Sequence, residues 1–208
     1  MTEKKFDETI GHIALIEGVD SMTGADSIAP GVRGRSSDQP QQYVPGPGID
    51  APELQREVER SLFRQAALLD AQQWQAYIDE FTADGVYWMP ANPEQTDWMA
   101  EASIFAEDRM MMMIRRGRLE HPNAWSQAAE WGTNHLVGNV IIESLSPTEV
   151  HSYARFQMME QRREKSRHFA CSYRHHWKRT AGGLKIQMQR VDMINAQSTF
   201  DYVLQAWV

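Results

Sequence analysis

The sequence predicts an α+β fold in which helices lie across one face of a curved antiparallel sheet and close it into a cone. Three observations lead there. Apolar residues recur at helical spacing from residue 54 onward, four long strand-like runs fill residues 131–194, and the links between those runs are short. Short links make neighbouring strands antiparallel.

Residues 1–50 stand apart as an extended N-terminal arm. They hold Gly24, Pro30, Gly31, Gly34, Pro40, Pro45, Gly46, Pro47 and Gly48, with few apolar residues outside Ile13 to Ile16. Such a segment cannot bury enough surface to fold alone. It is either a free tail or a strap that orders against another subunit.

The cone domain spans residues 51–208 and opens at Ala51-Pro52-Glu53, a first-turn proline beside an acid. Leu54, Val58, Leu62, Ala66 and Leu69 then mark a helix to about Leu69. Asp70 reads as the N-cap of a second helix, with an apolar stripe of Trp74, Ile78 and Phe81 flanked by Tyr77. Gly85 ends that helix, and Val86-Tyr87-Trp88-Met89 reads as a short strand closed by Pro90. Ser103 to Glu120 reads as helical throughout. Its run Met110-Met111-Met112-Met113 covers every side of a helix, which predicts packing on two sides rather than a ligand pocket.

Beyond a loop at Pro122, strands are predicted at 131–143, 149–160, 167–179 and 184–194. The third alternates clearly. Phe169, Cys171, Tyr173, His175 and Trp177 share one face, and His168, Ala170, Ser172, Arg174, His176 and Lys178 the other.

Composition bounds the function. With 208 residues, 42% hydrophobic and 24% charged, the chain reads as a soluble globular protein able to build its own core. The net charge of −7 argues against a nucleic-acid partner. The basic run Arg162, Arg163, Lys165 and Arg167 reads as a solvated turn. Cys171 is the single cysteine, so no internal disulfide forms and a reducing, cytoplasmic setting is expected. Neither a signal peptide nor an apolar window of membrane-spanning length is found, so no membrane partner is expected.

The stretch from Trp131 to Glu143 concentrates the chemical question, because it sets a Thr, two Asn and a His into an apolar strand. Buried polar groups must find partners or do chemistry. A cone could gather Tyr77, Asp79, Asp84, Tyr87, His135 and His175 around a cavity, where a desolvated carboxylate can act as a general base. Against this, Asp79 falls off the apolar stripe and Asp84 precedes Gly85 as a turn residue. His135 shares its parity with Trp131, Thr133, Asn139 and Ile141 and could equally be a hydrogen-bonded structural histidine.

Among the seven histidines (His12, His121, His135, His151, His168, His175 and His176), none forms a metal-ligand pattern. His175 and His176 are adjacent on a strand and point to opposite faces. Nucleophile elbows, phosphate loops and dinucleotide fingerprints are missing. The expectation is no catalytic, cofactor-binding or metal residue in this chain. The alternative is a stand-alone dehydratase or isomerase using His135 and Tyr77.

Thr133-Asn134-His135-Leu136-Val137-Gly138-Asn139-Val140 resembles the Thr-Arg-His-Leu-Val-Ser-Asn-Val segment of small (beta) subunits of Rieske-type aromatic-ring-hydroxylating dioxygenases. Leu68-Leu69-Asp70 with Trp74, Tyr77 and Phe81 is similar to that family's first helical pair. Asp84 to Pro90 resembles its acidic turn, aromatic strand and proline. Asp108-Arg109, Arg115-Arg116, Trp125, Tyr173-Arg174 and Arg190-Val191-Asp192 follow in the family's order, so the likeness covers roughly residues 55–195. The family carries Arg where this chain has Gly132 and Asn134, so any subunit contact those arginines make is altered.

The resemblance implies a nuclear transport factor 2-like (cystatin-like) cone. It implies a threefold ring of copies joined to three large (alpha) subunits in a heterohexamer. The Rieske 2Fe-2S cluster and mononuclear iron are then expected in the large subunit, and this chain takes a structural part in aromatic hydrocarbon catabolism.

Overall fold

The structure is a computed structural model that describes residues 42–124, 131–199 and 203–208. The N-terminal arm up to residue 41, with His12, and the Trp125 position lie outside the described residues.

Helix α1 (Pro52–Asp70) forms as its spacing predicts, burying Leu54, Val58, Leu62, Gln65, Ala66 and Leu69 along one stripe. Each fully buried aliphatic side chain stabilises by roughly 1.5–3 kcal/mol. A tight link through Gln72, at φ 54°, leads to the short helix α2 (Trp74–Ile78). Its N-cap is Gln73, with no side-chain capping bond. Asp70 therefore does not cap α2, because its carboxylate is committed to residues on the sheet.

The second helix also ends earlier than its stripe suggests. Phe81 opens strand β1 (Phe81–Pro90), which slips register between Phe81 and Val86. Gly85 sits inside that irregularity rather than at a helix end, and a Cβ there would lie 2.8 Å from Phe81 Cβ and 2.9 Å from the Ile186 carbonyl oxygen. The chain needs glycine here for close backbone approach.

Residues 103–120 divide in two. Strand β2 (Ser103–Asp108) pairs with β1, and helix α3 (Arg109–Leu119) follows. The Asp108 carboxylate accepts from the Met111 amide at 2.8 Å and caps α3. Met112 is buried, whereas Met110, Met111, Met113 and Ile114 are exposed on this chain. The helix thus packs on one side only.

Strands β3 (Trp131–Leu145), β4 (Glu149–Arg162), β5 (Lys165–Thr180) and β6 (Gly183–Met193) form the predicted antiparallel meander. The six-stranded sheet has the order β2-β1-β6-β5-β4-β3. Strand β1 joins it parallel to β6, so the sheet is mixed. β3 is an edge strand, kinked by a register shift between Gly138 and Ile141 where Asn139 takes φ 54°. The kink changes which residues face inward, so Ile142 is buried and Asn139 is exposed. Asn139 serves backbone geometry at the kink.

The inward face of β5 is the predicted one: Phe169, Cys171, Tyr173, His175 and Trp177 are all buried. Its rings continue into β4 and along β5, with Phe156 on Tyr173 at 3.9 Å and His175 on Trp177 at 4.5 Å between centroids. Residues 42–50, counted with the arm in the sequence, lie against the sheet. The Ile49 amide donates to the Ile142 carbonyl at 2.8 Å, and Tyr43 sits under the Arg174 guanidinium at 4.5 Å. None of the described helices is long and apolar enough to cross a membrane.

Gly85→Ala is expected to destabilise the chain by about 1–3 kcal/mol, because two of the three nearest contacts are backbone atoms that cannot swing aside. A lowered urea midpoint with an unchanged slope would show it.

Candidate functional site

Asp70, the last residue of α1, reaches across to the edge strand. Its Oδ1 accepts from the Thr133 hydroxyl at 2.8 Å and lies 2.6 Å from His135 Nδ1. Its Oδ2 accepts from the His135 backbone N–H at 3.0 Å. The His135 ring is buried and packs beside Phe156, with centroids 6.0 Å apart. Burial alone would raise the Asp70 carboxyl, but the bonds from the His135 ring and backbone, the His135 charge and the Thr133 hydroxyl outweigh it and leave its pKa lowered.

The other candidates are committed elsewhere. The Tyr77 hydroxyl donates to Gln189 Oε1 at 2.9 Å, and burial pushes its phenol well up. The Tyr87 hydroxyl bonds the backbone of Val208, and burial pushes it up as well. Both therefore keep their protons at neutral pH. His175 Nε2 lies 3.2 Å from Gln65 Oε1, and burial pulls its pKa down to about 3, so it stays neutral. Asp79 pairs at the surface with Arg109 at 2.7 Å, and Asp84 is exposed. Tyr77 and His135 thus have separate hydrogen-bond partners.

The C-terminal residues of the described chain contribute to the interior. Ala206, Trp207 and Val208 are buried, and Trp207 packs against Trp74 and Tyr77 with centroids 5.9 and 5.5 Å away. Its indole N–H donates to Glu107 Oε2 at 3.0 Å, and the other Glu107 oxygen pairs with Arg115. Buried polar atoms without a partner among the described residues are Gln65 Nε2, Thr82 Oγ1, His135 Nε2, His175 Nδ1 and Gln189 Nε2. No group of three or more His, Cys, Asp or Glu among the described residues could hold a metal ion. Burial pushes the Cys171 thiol up, away from the reactive thiolate.

Sequence reasoning missed Asp70, Glu107, Arg115 and Trp207 as the ties of the interior. Asp70 lies 65 residues from His135, and Trp207 lies 100 from Glu107. Local spacing carries no signal for such pairs. Several motif residues do show their work here. Arg109 donates to the Phe81 carbonyl at 2.9 Å, Arg174 pairs with Asp192 at 3.3 Å, and Arg190 lies over Trp88 at 4.4 Å.

The fold and its interior define a nuclear transport factor 2-like cone built around internal ties. The family model described as the ring hydroxylating beta subunit matches residues 64–199, and the chain belongs to that family. It is 24% identical over 139 residues to the 2-halobenzoate 1,2-dioxygenase small subunit of Burkholderia cepacia, covering 64% of this chain and 84% of that one. It is 30% identical over 108 residues to chlorobenzene dioxygenase subunit beta of Cupriavidus sp. (strain PS12), covering 48% of this chain and 58% of that one. The crystal structure of the benzoate 1,2-dioxygenase beta subunit from Burkholderia mallei superposes with a TM-score of 0.58 at 22% identity, over 75% of this chain and 98% of that one, and shares the fold.

Because its folded-state pKa is lowered, Asp70 stabilises the native state above the pKa it has when unfolded, and that contribution is lost as pH falls through the lower folded value. Asp70→Asn should cost about 1–3 kcal/mol at pH 7. Its stability should also change less than that of the wild type between about pH 5 and pH 2. Urea unfolding at a series of pH values reads both effects.

Proposed function

We propose that this chain is the structural small subunit of the terminal oxygenase of an aromatic-ring-hydroxylating dioxygenase, acting in aromatic compound catabolism. It joins a large subunit that carries the iron, and copies of itself in a threefold ring, in the cytoplasm. Family membership gives the class. The observation that supports the structural role is that the Tyr77 hydroxyl and His135 Nδ1 are each engaged in internal hydrogen bonds, and that Trp207 is buried among the core aromatics.

A Rieske cluster needs two Cys and two His ligands, and this chain has one Cys. The residues present do not fit that cluster, so its chemistry belongs to a partner. Activity of the complex then depends on O2 and NAD(P)H through the other chains. What this chain contributes is surface. Met110, Met111, Met113 and Ile114 give α3 an exposed apolar strip, and flexible Met side chains suit a contact that must fit a second protein. Gly132 has open space around its missing Cβ and Asn134 is exposed, so the positions where the family carries Arg lie clear of the core.

One observation favours a second reading. An imidazole held by a carboxylate, with its far nitrogen buried and unpartnered, is the arrangement of a general-base pair. A dehydratase or isomerase built on it would act without any other chain.

Co-expression with a cognate large-subunit gene should yield one complex of equal numbers of the two chains, with three copies of each by native mass spectrometry. A chain that stays monomeric beside its large subunit contradicts the proposal. Met110→Lys with Met113→Lys should cut the yield of that complex several-fold while leaving the melting temperature of the isolated chain nearly unchanged, because both side chains are exposed.

A further inference from the structure

We propose that the cone contains a binding site for a flat N–H heteroaromatic ring and that Ala206, Trp207 and Val208 occupy it as a built-in ligand. The occupant is Trp207, 2% exposed, with Val208 fully buried behind it. The walls come from elements far away in sequence. Trp74 meets the indole edge-on at 62°, and Tyr77 lies at 42° to it. The indole N–H points at Glu107 Oε2, 3.0 Å away. Tyr87 then reads the backbone that follows, accepting from the Val208 amide at 3.1 Å and donating to the Val208 carbonyl at 3.3 Å.

Each wall is also held by something other than the tail. Trp74 stacks on Trp131 at 6.0 Å, and the Tyr77 hydroxyl is fixed by Gln189. Tyr87 packs edge-on to Phe105 at 5.8 Å. Arg115 pairs with the Glu107 carboxylate and itself lies over Phe105 at 4.3 Å. The site is therefore organised without its occupant. Apolar walls with a few placed polar groups make a small-molecule pocket. A desolvated carboxylate facing a ring N–H gives that pocket a chemical preference, because hydrogen bonds to a charged acceptor are the stronger kind.

The inference goes beyond the assembly role, and its failure leaves the co-expression outcome untouched. With Trp207 in place this position is occupied. Removing that side chain should open a space shaped for indole, with Glu107 waiting for an N–H.

The test is Trp207→Gly in the full chain, with indole and 1-methylindole as probes and with melting temperature and calorimetric titration as readouts. The variant should melt below the wild type, and indole should restore part of the loss. 1-Methylindole, which cannot donate to Glu107, should bind about ten-fold more weakly or worse. The wild type should bind neither in this site. A folded variant that binds neither probe, or both equally, overturns the proposal, as does a wild type that binds indole as tightly as the variant. If Trp207→Gly does not fold even with indole, Trp207→Leu leaves a smaller void beside Glu107. Pyrrole must then raise its melting temperature more than thiophene does, and equal effects overturn the proposal.

Discussion

The Asp70 carboxylate holds the helical layer to the sheet. It closes α1 at one end and takes three bonds from two residues of β3, the hydroxyl of Thr133 and the ring and amide of His135. An edge strand exposes amides that must be satisfied or protected. Here the His135 amide is satisfied by a side chain from the helix. Because α1 also carries the apolar stripe that covers the inner face, this one contact sets where that stripe meets β3. The lowered Asp70 pKa is the electrostatic side of the same contact.

The interior follows the same pattern of polar groups tied to distant partners. Glu107 joins Arg115 and Trp207, Tyr77 joins Gln189, and His175 joins Gln65. Glu107 and Tyr87 also bond Trp207 and Val208 near the C-terminal end of the described chain. Folds host unrelated functions, and the site decides which one is present. In this chain the interior is cross-tied by these bonds, while apolar area is left outward on α3 at Met110, Met113 and Ile114. That division fits the proposed structural role.

Much of this was legible in the sequence, and the reasons differ by element. Helix α1 and the face alternation of β5 depend on local periodicity, so their residues could be named in advance. The split of 103–120 into a strand and a helix was hidden because Phe105 and Glu107 face inward for tertiary reasons, and only Asp108 marks the boundary. Gly85 read as a helix stop because a close backbone approach leaves no local trace. The kink at Asn139 moved the inward face of β3 by one residue, which strict alternation cannot foresee. His135 reads as either structural or catalytic, and its partner Asp70 reads as a cap because local pattern favours a local role. Trp207 carries no local signal, since its partners lie on two other elements, α2 and β2.

The role of His135 separates a scaffold from a catalyst most directly. The measurement is turnover per iron of the assembled oxygenase carrying His135→Asn in this chain, compared with wild type at matched iron content and matched assembly. A scaffold predicts a lower yield of complex and a lower melting temperature, with turnover per iron within about two-fold of wild type. A fall of a hundred-fold or more in fully assembled, fully iron-loaded complex, the size expected for losing a general base, would contradict it.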